Sequence, residues 1–507
     1  MKNRLFSGIF IIGLLSVFVF LSASFDRVEE SRVQVKSEKF SEVREKIISA
    51  VNRGRIPSMA VAVSKGGIII WEEGFGWADL QKQIKATAHT MYSLASISKP
   101  ITATGLMILL ERGLVKLDDP VNKLISPAAL RAFEGKAEDA TVKHLLNHTS
   151  GLPLHYTFFY EDEPYSKPPM PESISRYGIL VHPPGEIYQY ANFGFGIIDF
   201  IISRVSKENY TDFMKKEVFL PLGMTHTSID IGPGLEQYAA VRYDNDKDPI
   251  PFYTFDHPGA SAVFSSAHDL VRFGMFHLKD KLPGQKQILK DETLDLMHYE
   301  GDISSAEGGY KLGWGFNKDN YGYPSLSHGG GMPGVSTSLK IFPTEDIAIV
   351  VLNNIGSPLG GAISDDIAGI LLPEFSENKR KARRKPMNIP KPYSPTEELI
   401  GQWEGKIVTY QGEVPVEINF QEDGDINIKL NKSLKTILNG INFELNWFTG
   451  QFEGTIPTDD ARMYEHNIFL RMKLKDKKLS GYATAQTTTK RLYWGLSSYI
   501  SLTKEEE

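Results

Sequence analysis

Residues 92–113 read YSLASISKPITATGLMILLERG, and the rest of the chain is read outward from them. Ile101, Leu106, Leu109 and Leu110 recur at helical spacing, and Gly113 is a natural stop. Pro100 would break a helix from inside but is tolerated in its first turn, so the helix is expected to start near Ser96. Ser96 and Lys99 then share a face, as positions three apart do. A hydroxyl and an amine stand side by side at a helix start, where developing negative charge is favoured. A hydroxyl needs a base to become a nucleophile, and a lysine serves if its pKa is depressed. Free lysine titrates near ~10.4, so action near pH 7 needs a fall of roughly three units, about 4 kcal/mol. Burial and a nearby positive charge push that way. Ser-x-x-Lys alone is a weak signal, equally compatible with a solvated helix start.

The surroundings set the fold. Phe40, Val43, Ile47, Ile48 and Val51 predict a helix over about 38–53. Ser58–Ser64 and Ile68–Phe75 predict two strands joined by Lys65-Gly66-Gly67. From about 139 to 270, helical stretches alternate with Pro- and Gly-rich loops, and strand patterns return at Ser336–Phe342 and Ile347–Asn353. Strands early, helices in the middle and strands late predict an α+β domain with one sheet built from both ends. A basic cluster (Lys379, Arg380, Lys381, Arg383, Arg384, Lys385) followed by Pro386, Pro390, Pro392 and Pro395 predicts a stiff, solvated linker over 376–396. Beyond it the period becomes two: Val416, Ile418 and Phe420, then Ile426, Ile428 and Leu430 around an Asp423-Gly424 turn. Residues 397–507 are therefore expected to form a small β-barrel domain. No solenoid-type repeat is present.

Composition bounds the function. The 507 residues are 41% hydrophobic and 23% charged, with net charge −6, which gives no basic footprint for nucleic acid. Without cysteine there is no disulfide, thiolate nucleophile or thiolate zinc site. Lys2 and Arg4 precede an apolar run from Leu5 to Leu21, then Ser22-Ala23-Ser24, the layout of a secretory signal over 1–24. An uncleaved anchor is the alternative. Both readings export the remainder, to the periplasm or the exterior, and the anchor would be the chain's one membrane contact.

Two further elements complete a constellation. Tyr190-Ala191-Asn192 follows Pro184-Gly185, and His328-Gly329-Gly330 precedes a strand. Ser-x-x-Lys with Ser-Asp-Asn and Lys-Thr-Gly elements marks serine β-lactamases and penicillin-binding proteins. The chain resembles the class C branch of that superfamily, in which Tyr-x-Asn replaces Ser-Asp-Asn. Gly76 to Leu80, Leu117 to Pro120, HLLNHTSGLP at 144–153 and Ser265 to Leu270 match in order, so the resemblance covers about residues 38–372. It implies a penicillin-recognising catalytic domain with Ser96 as nucleophile and Lys99 and Tyr190 as proton carriers. It also implies Asn192, His328, Gly329 and Gly330 at the substrate, and the backbone N–H groups of Ser96 and Gly331 as oxyanion hole. His328 departs from the pattern, standing where β-lactamases and carboxypeptidases carry the lysine that helps hold a substrate carboxylate. His-x-Gly resembles the family's peptidase and esterase branches, the CubicO-type peptidases. Gly401-Gln402-Trp403 resembles the Gly-x-Trp of the lipocalin-like domains that some of those carry.

Other signals are set aside. His144 and His148 sit four apart, a zinc spacing, but Leu145 replaces the glutamate a metalloprotease needs. Gly329-Gly330-Gly331 lacks the Lys-Ser/Thr of a phosphate loop, and no Gly-x-Ser-x-Gly elbow appears. Trp314 fits the cleft and the core equally. No metal site and no cofactor are expected. The expected activity is acyl-enzyme hydrolysis of small peptides or amides, D-residues included. The alternative is a carboxylesterase with the same residues, β-lactam hydrolysis and D-Ala-D-Ala carboxypeptidase action being disfavoured. A non-catalytic binding protein or sensor comes last, because Ser96, Lys99, Tyr190 and Asn192 are all intact.

Overall fold

The strand Ser58–Lys65 is buried at seven consecutive positions, so it must be covered on both faces. Alternate residues part accordingly: Met59, Val61 and Val63 join one apolar cluster, while Ala60 and Ala62 join the other. Ile347–Asn353, its antiparallel neighbour, divides in the same way. One cluster is completed by the helices Ser41–Asn52 and Leu359–Leu371, the other by the central helices. These facts come from a computed structural model that describes residues 38–300, 308–383, 393–461, 466–487 and 494–505.

Eight strands form this sheet, in the order Gly308–Tyr310, Gly315–Asn320, Tyr323–Met332, Val335–Phe342, Ile347–Asn353, Ser58–Lys65, Ile68–Asp79, Ile84–Lys85. Early and late strands thus share one sheet, as the α+β reading expected. The helix Ser98–Glu111 is buried from Ser98 through Leu109 and runs through the interior. It ends at Gly113, whose φ of +70° lets the N–H groups of Gly113 and Leu114 return to the carbonyls of Leu110 and Leu109.

The C-terminal strands form a nearly closed barrel. Gly401–Thr409 pairs with both Gly412–Phe420 and the last strand, Trp494–Lys504, and the sheet's two edge strands, Thr436–Ile437 and Asn439–Glu444, are consecutive in sequence. The alternating residues Val416, Ile418, Phe420, Ile426, Ile428 and Leu430 all point inward. Trp403 is fully buried and donates its Nε1–H to Leu399 O at 2.7 Å. The barrel also joins the catalytic part directly. Trp494 and Gly495 pair with Thr157 and Tyr156, Tyr499 stacks on Phe133 at 4.4 Å, and Lys478 pairs with Glu134 at 2.7 Å.

The expected linker begins differently. Phe375–Arg383 is a helix, anchored by buried Phe375 against Tyr321 and Phe342. Lys379 pairs with Asp365 at 2.6 Å and Lys381 with Glu377 at 2.9 Å, so part of the basic cluster is neutralised on a helix. Residues 384–392, and the expected signal segment over 1–24, lie outside the described residues. Among the described residues no helix is long and apolar enough to cross a membrane.

Candidate active site

In the stretch Met91–Pro100 only Ser96 reaches the surface. It lies in a 3₁₀ turn, Ala95–Ile97, that leads into the helix Ser98–Glu111. Ala95 just before it has φ +49°, a conformation that costs energy in a non-glycine residue and persists only where its surroundings impose it. Those surroundings are visible. Leu94 N–H donates to Val263 O at 2.8 Å, Val263 N–H to Ser98 Oγ at 3.0 Å, and Thr337 Oγ–H to Leu94 O at 2.9 Å. Gly330 packs against the same carbonyl: a Cβ there would sit 2.0 Å from Leu94 O. Gly330 is therefore buried and leaves the surface to its neighbours, Gly329 and Gly331, which are exposed.

Lys99 is fully buried. Its Nζ lies 3.1 Å from Ser96 Oγ, 2.8 Å from Asn192 Oδ1 and 3.2 Å from Ala260 O. Burial holds its pKa well below the ordinary lysine value. A neutral amine has two N–H donors and one lone pair. Asn192 Oδ1 and Ala260 O can only accept, so they take the two donors, and the lone pair is left facing Ser96. Tyr190 closes the third side, its hydroxyl hydrogen-bonded to Ser96 and its ring 4.7 Å from Lys99 Nζ. Burial pushes the Tyr190 phenol up, although part of the residue remains at the surface.

His148, weighed in the sequence only as a metal ligand, clamps this tyrosine. Its carbonyl accepts Gln189 N–H at 2.8 Å and its Nδ1 accepts Ala191 N–H at 3.2 Å, one bond on each side of Tyr190. Its ring lies 4.4 Å from that of Tyr190, and its own φ is +60°. His144, by contrast, belongs to the helix Val142–Leu146 and turns its Nδ1 to Asp139 O. The two histidines are thus engaged separately and do not form the zinc pair their spacing allowed.

His328 is also held internally. Its Nδ1–H donates to Gly329 O at 2.8 Å, which leaves Nε2 to accept the Tyr310 hydroxyl at 2.9 Å. Burial, then the nearby Lys99, pushes its pKa down to about 3, so the ring is neutral. Tyr310 touches His148 as well, with ring centroids 4.4 Å apart, and links the two histidines. Sequence reasoning missed Tyr310; its one signal was its place just before Gly313-Trp314-Gly315. Trp314 itself is core, packed on His277 at 4.9 Å. Beyond Ser327 the strand Tyr323–Met332 loses its partner Gly315–Asn320, so among the described residues no strand pairs with the backbone edge of 328–332 on that side. Tyr482 of the barrel donates to Gln189 Oε1 at 3.2 Å, which brings the C-terminal part to within one residue of Tyr190.

The beta-lactamase family profile matches residues 25–372, the stretch that holds every group described above except Tyr482. The chain belongs to the beta-lactamase family. Members of this family are serine hydrolases. Protein flp of Staphylococcus aureus (strain MRSA252) is 29% identical over 317 residues, which span 61% of this chain and 61% of that protein. A solved structure of SurE with D-Leu is similar over 92% of this chain and all of its own length (100%), at TM-score 0.59 and 18% identity. A class C beta-lactamase is similar over 66% of this chain and 96% of its own, at TM-score 0.55 and 19% identity. At these identities the likeness to the beta-lactamase and to SurE is one of fold. With SurE that fold extends over the barrel as well.

Proposed function

We propose that the protein hydrolyses small peptides or amides, D-residues included, through an acyl-enzyme on Ser96. The observation that carries this reading is the fully buried Lys99, its Nζ 3.1 Å from Ser96 Oγ and its pKa held by burial well below the ordinary lysine value. Ser96 Oγ forms a bond to the substrate carbonyl carbon as its proton passes to the Lys99–Tyr190 pair, which titrates as a unit. The N–H groups of Ser96 and Gly331 receive the oxyanion, and Gly331 has open space around it. Tyr190 returns the proton to the leaving nitrogen as the C–N bond breaks, and water then releases the acid by the reverse route. Asn192 holds Lys99 and the substrate amide together. The inclusion of D-residues rests on the likeness to SurE, solved with D-Leu. The barrel, lipocalin-like in its Gly401-Gln402-Trp403 start, flanks the substrate side through Tyr482.

A panel of D- and L-aminoacyl amides, p-nitrophenyl esters and nitrocefin tests the reading. The D-aminoacyl amides are expected to give the highest kcat/KM and nitrocefin the lowest. Ester turnover with no amide turnover would establish the carboxylesterase instead.

Tyr190→Phe removes one hydroxyl, so the fold should survive while kcat/KM falls by about 10²–10⁴. Activity within threefold of wild type would leave Tyr190 a packing residue.

His328 sets a separate expectation. Neutral histidine offers no fixed charge to a carboxylate, so substrates without a free leaving-side acid are favoured. His328→Lys is expected to shift the ratio of kcat/KM for a matched free acid and ester toward the acid by ~1–3 kcal/mol. An unchanged ratio in a folded variant that still cleaves the ester would show that position 328 does not set carboxylate recognition.

A further inference from the structure

Away from the nucleophile, three side chains from distant parts of the chain converge. Glu72 lies on the strand Ile68–Asp79, His89 just before the strand Met91–Ser93, and His268 in the first turn of the helix Ala267–His277. One ligating atom from each lies within 4.8 Å of the others. His268 Nδ1 is 2.8 Å from a Glu72 carboxylate oxygen. The His89 ring lies 4.7 Å from that of His268 and 5.3 Å from that of His226, centroid to centroid.

The backbones beneath these side chains are fixed. His268 N–H donates to Ala88 O at 3.1 Å, and Ser266 N–H to His226 O at 3.1 Å. Gly74, on the same strand as Glu72, packs so tightly on Thr87 that a Cβ would sit 2.4 Å from its backbone. An ion arriving here would find its ligands already gathered, with little ordering left to do. Glu72 supplies a carboxylate beside the two imidazoles, one ligating atom from each within reach of the same point. Neutral imidazole with carboxylate is a donor set taken by zinc and its neighbours in the first transition row. Ligating atoms around tetrahedral zinc stand roughly 3.3 Å apart, so side-chain rotations of about an ångström would close the cluster on the ion.

We propose that Glu72, His89 and His268 form a divalent transition-metal site of the zinc class, with His226 alongside and water in the remaining position. The ligands come from three separated segments and follow no spacing motif, so no sequence pattern announces the site. The site would be a clamp. Met91–Ser93 pairs with Val263–Ser266, and an ion held by His89 and His268 bridges the two segments at one end of that pair. The same pair runs directly into the turn that carries Ser96, so the ion would stiffen the frame of the nucleophile.

The test uses the full chain, stripped with EDTA and titrated with Zn²⁺ by calorimetry and with Co²⁺ by visible absorption. One saturable site is expected, with the d–d absorption of four-coordinate cobalt, bleached by zinc, and with a higher Tm once zinc is bound. His89 is exposed, so His89→Ala should fold normally and weaken zinc binding at least ~10-fold. Glu72→Gln should do the same, while His144→Ala should leave binding unchanged. Failure of the stripped protein to bind zinc would overturn the proposal. So would wild-type affinity in both His89→Ala and Glu72→Gln, or a loss confined to His144→Ala.

Discussion

Ser96→Ala is expected to lower kcat by on the order of 10⁴-fold or more and to abolish covalent labelling by a fluorophosphonate. Ser96 is the one residue between Met91 and Pro100 at the surface, and it meets Lys99 and Tyr190 at once. Ser98, the nearest alternative, is fully buried and accepts the Val263 N–H. The variant removes a single oxygen from a turn held by backbone bonds, so its melting temperature should stay close to wild type. Mass spectrometry of the labelled wild-type peptide should place the adduct on Ser96. An adduct on another serine, or persistent labelling of the alanine variant, would sink the assignment.

Lys99→Met should slow acylation by roughly 10³–10⁴-fold while making the protein more stable at neutral pH. The rate falls because the pair that receives the Ser96 proton loses its amine. The stability gain follows from linkage. In the unfolded chain Lys99 is protonated below ~10.4, whereas in the folded chain burial keeps it neutral far below that value. The unfolded state therefore binds the extra proton, and wild-type stability declines as pH falls from about 10.4 toward the depressed folded value. Methionine carries no such penalty and fills similar space. Its Tm should exceed that of wild type at pH 7, and the gap should narrow toward pH 10. A lower Tm for Lys99→Met across the whole range would mean that the bonds to Asn192 and Ala260 outweigh the cost of burial. Activity within tenfold of wild type would leave Tyr190 as the sole base.

Much of this was legible in the sequence because it rests on local chemistry. Ser96 and Lys99 meet because three residues make most of a helical turn, and Pro100 could stand only in the first turn. The shared sheet followed from strands at both ends of the domain. The contacts that escaped are pairwise and long-range. His148 holds Tyr190 through a backbone carbonyl and one ring nitrogen, and the φ of +60° that aims it is not written in a histidine. Tyr310 holds His328 across a gap in the sheet. The helix Phe375–Arg383 was masked by the prolines that follow it, although Glu377 and Lys381 stand at helical spacing. The pairing of Trp494 with Thr157 has no sequence signature, since either strand reads as complete by itself.

The central strand carries a consequence for how the chain is made. Met59 pairs with Asn353, so the sheet cannot close until most of the catalytic part has been synthesised. Until then Ser58–Lys65 has only the hairpin with Ile68–Asp79, and its apolar faces and open edge are exposed to any other strand that passes. Contacts so distant along the chain also make for slow folding, because loop closure must come before their reward. A nascent or truncated chain ending before Asn353 therefore carries Ser96 beside a sheet whose central strand still lacks a partner on one edge.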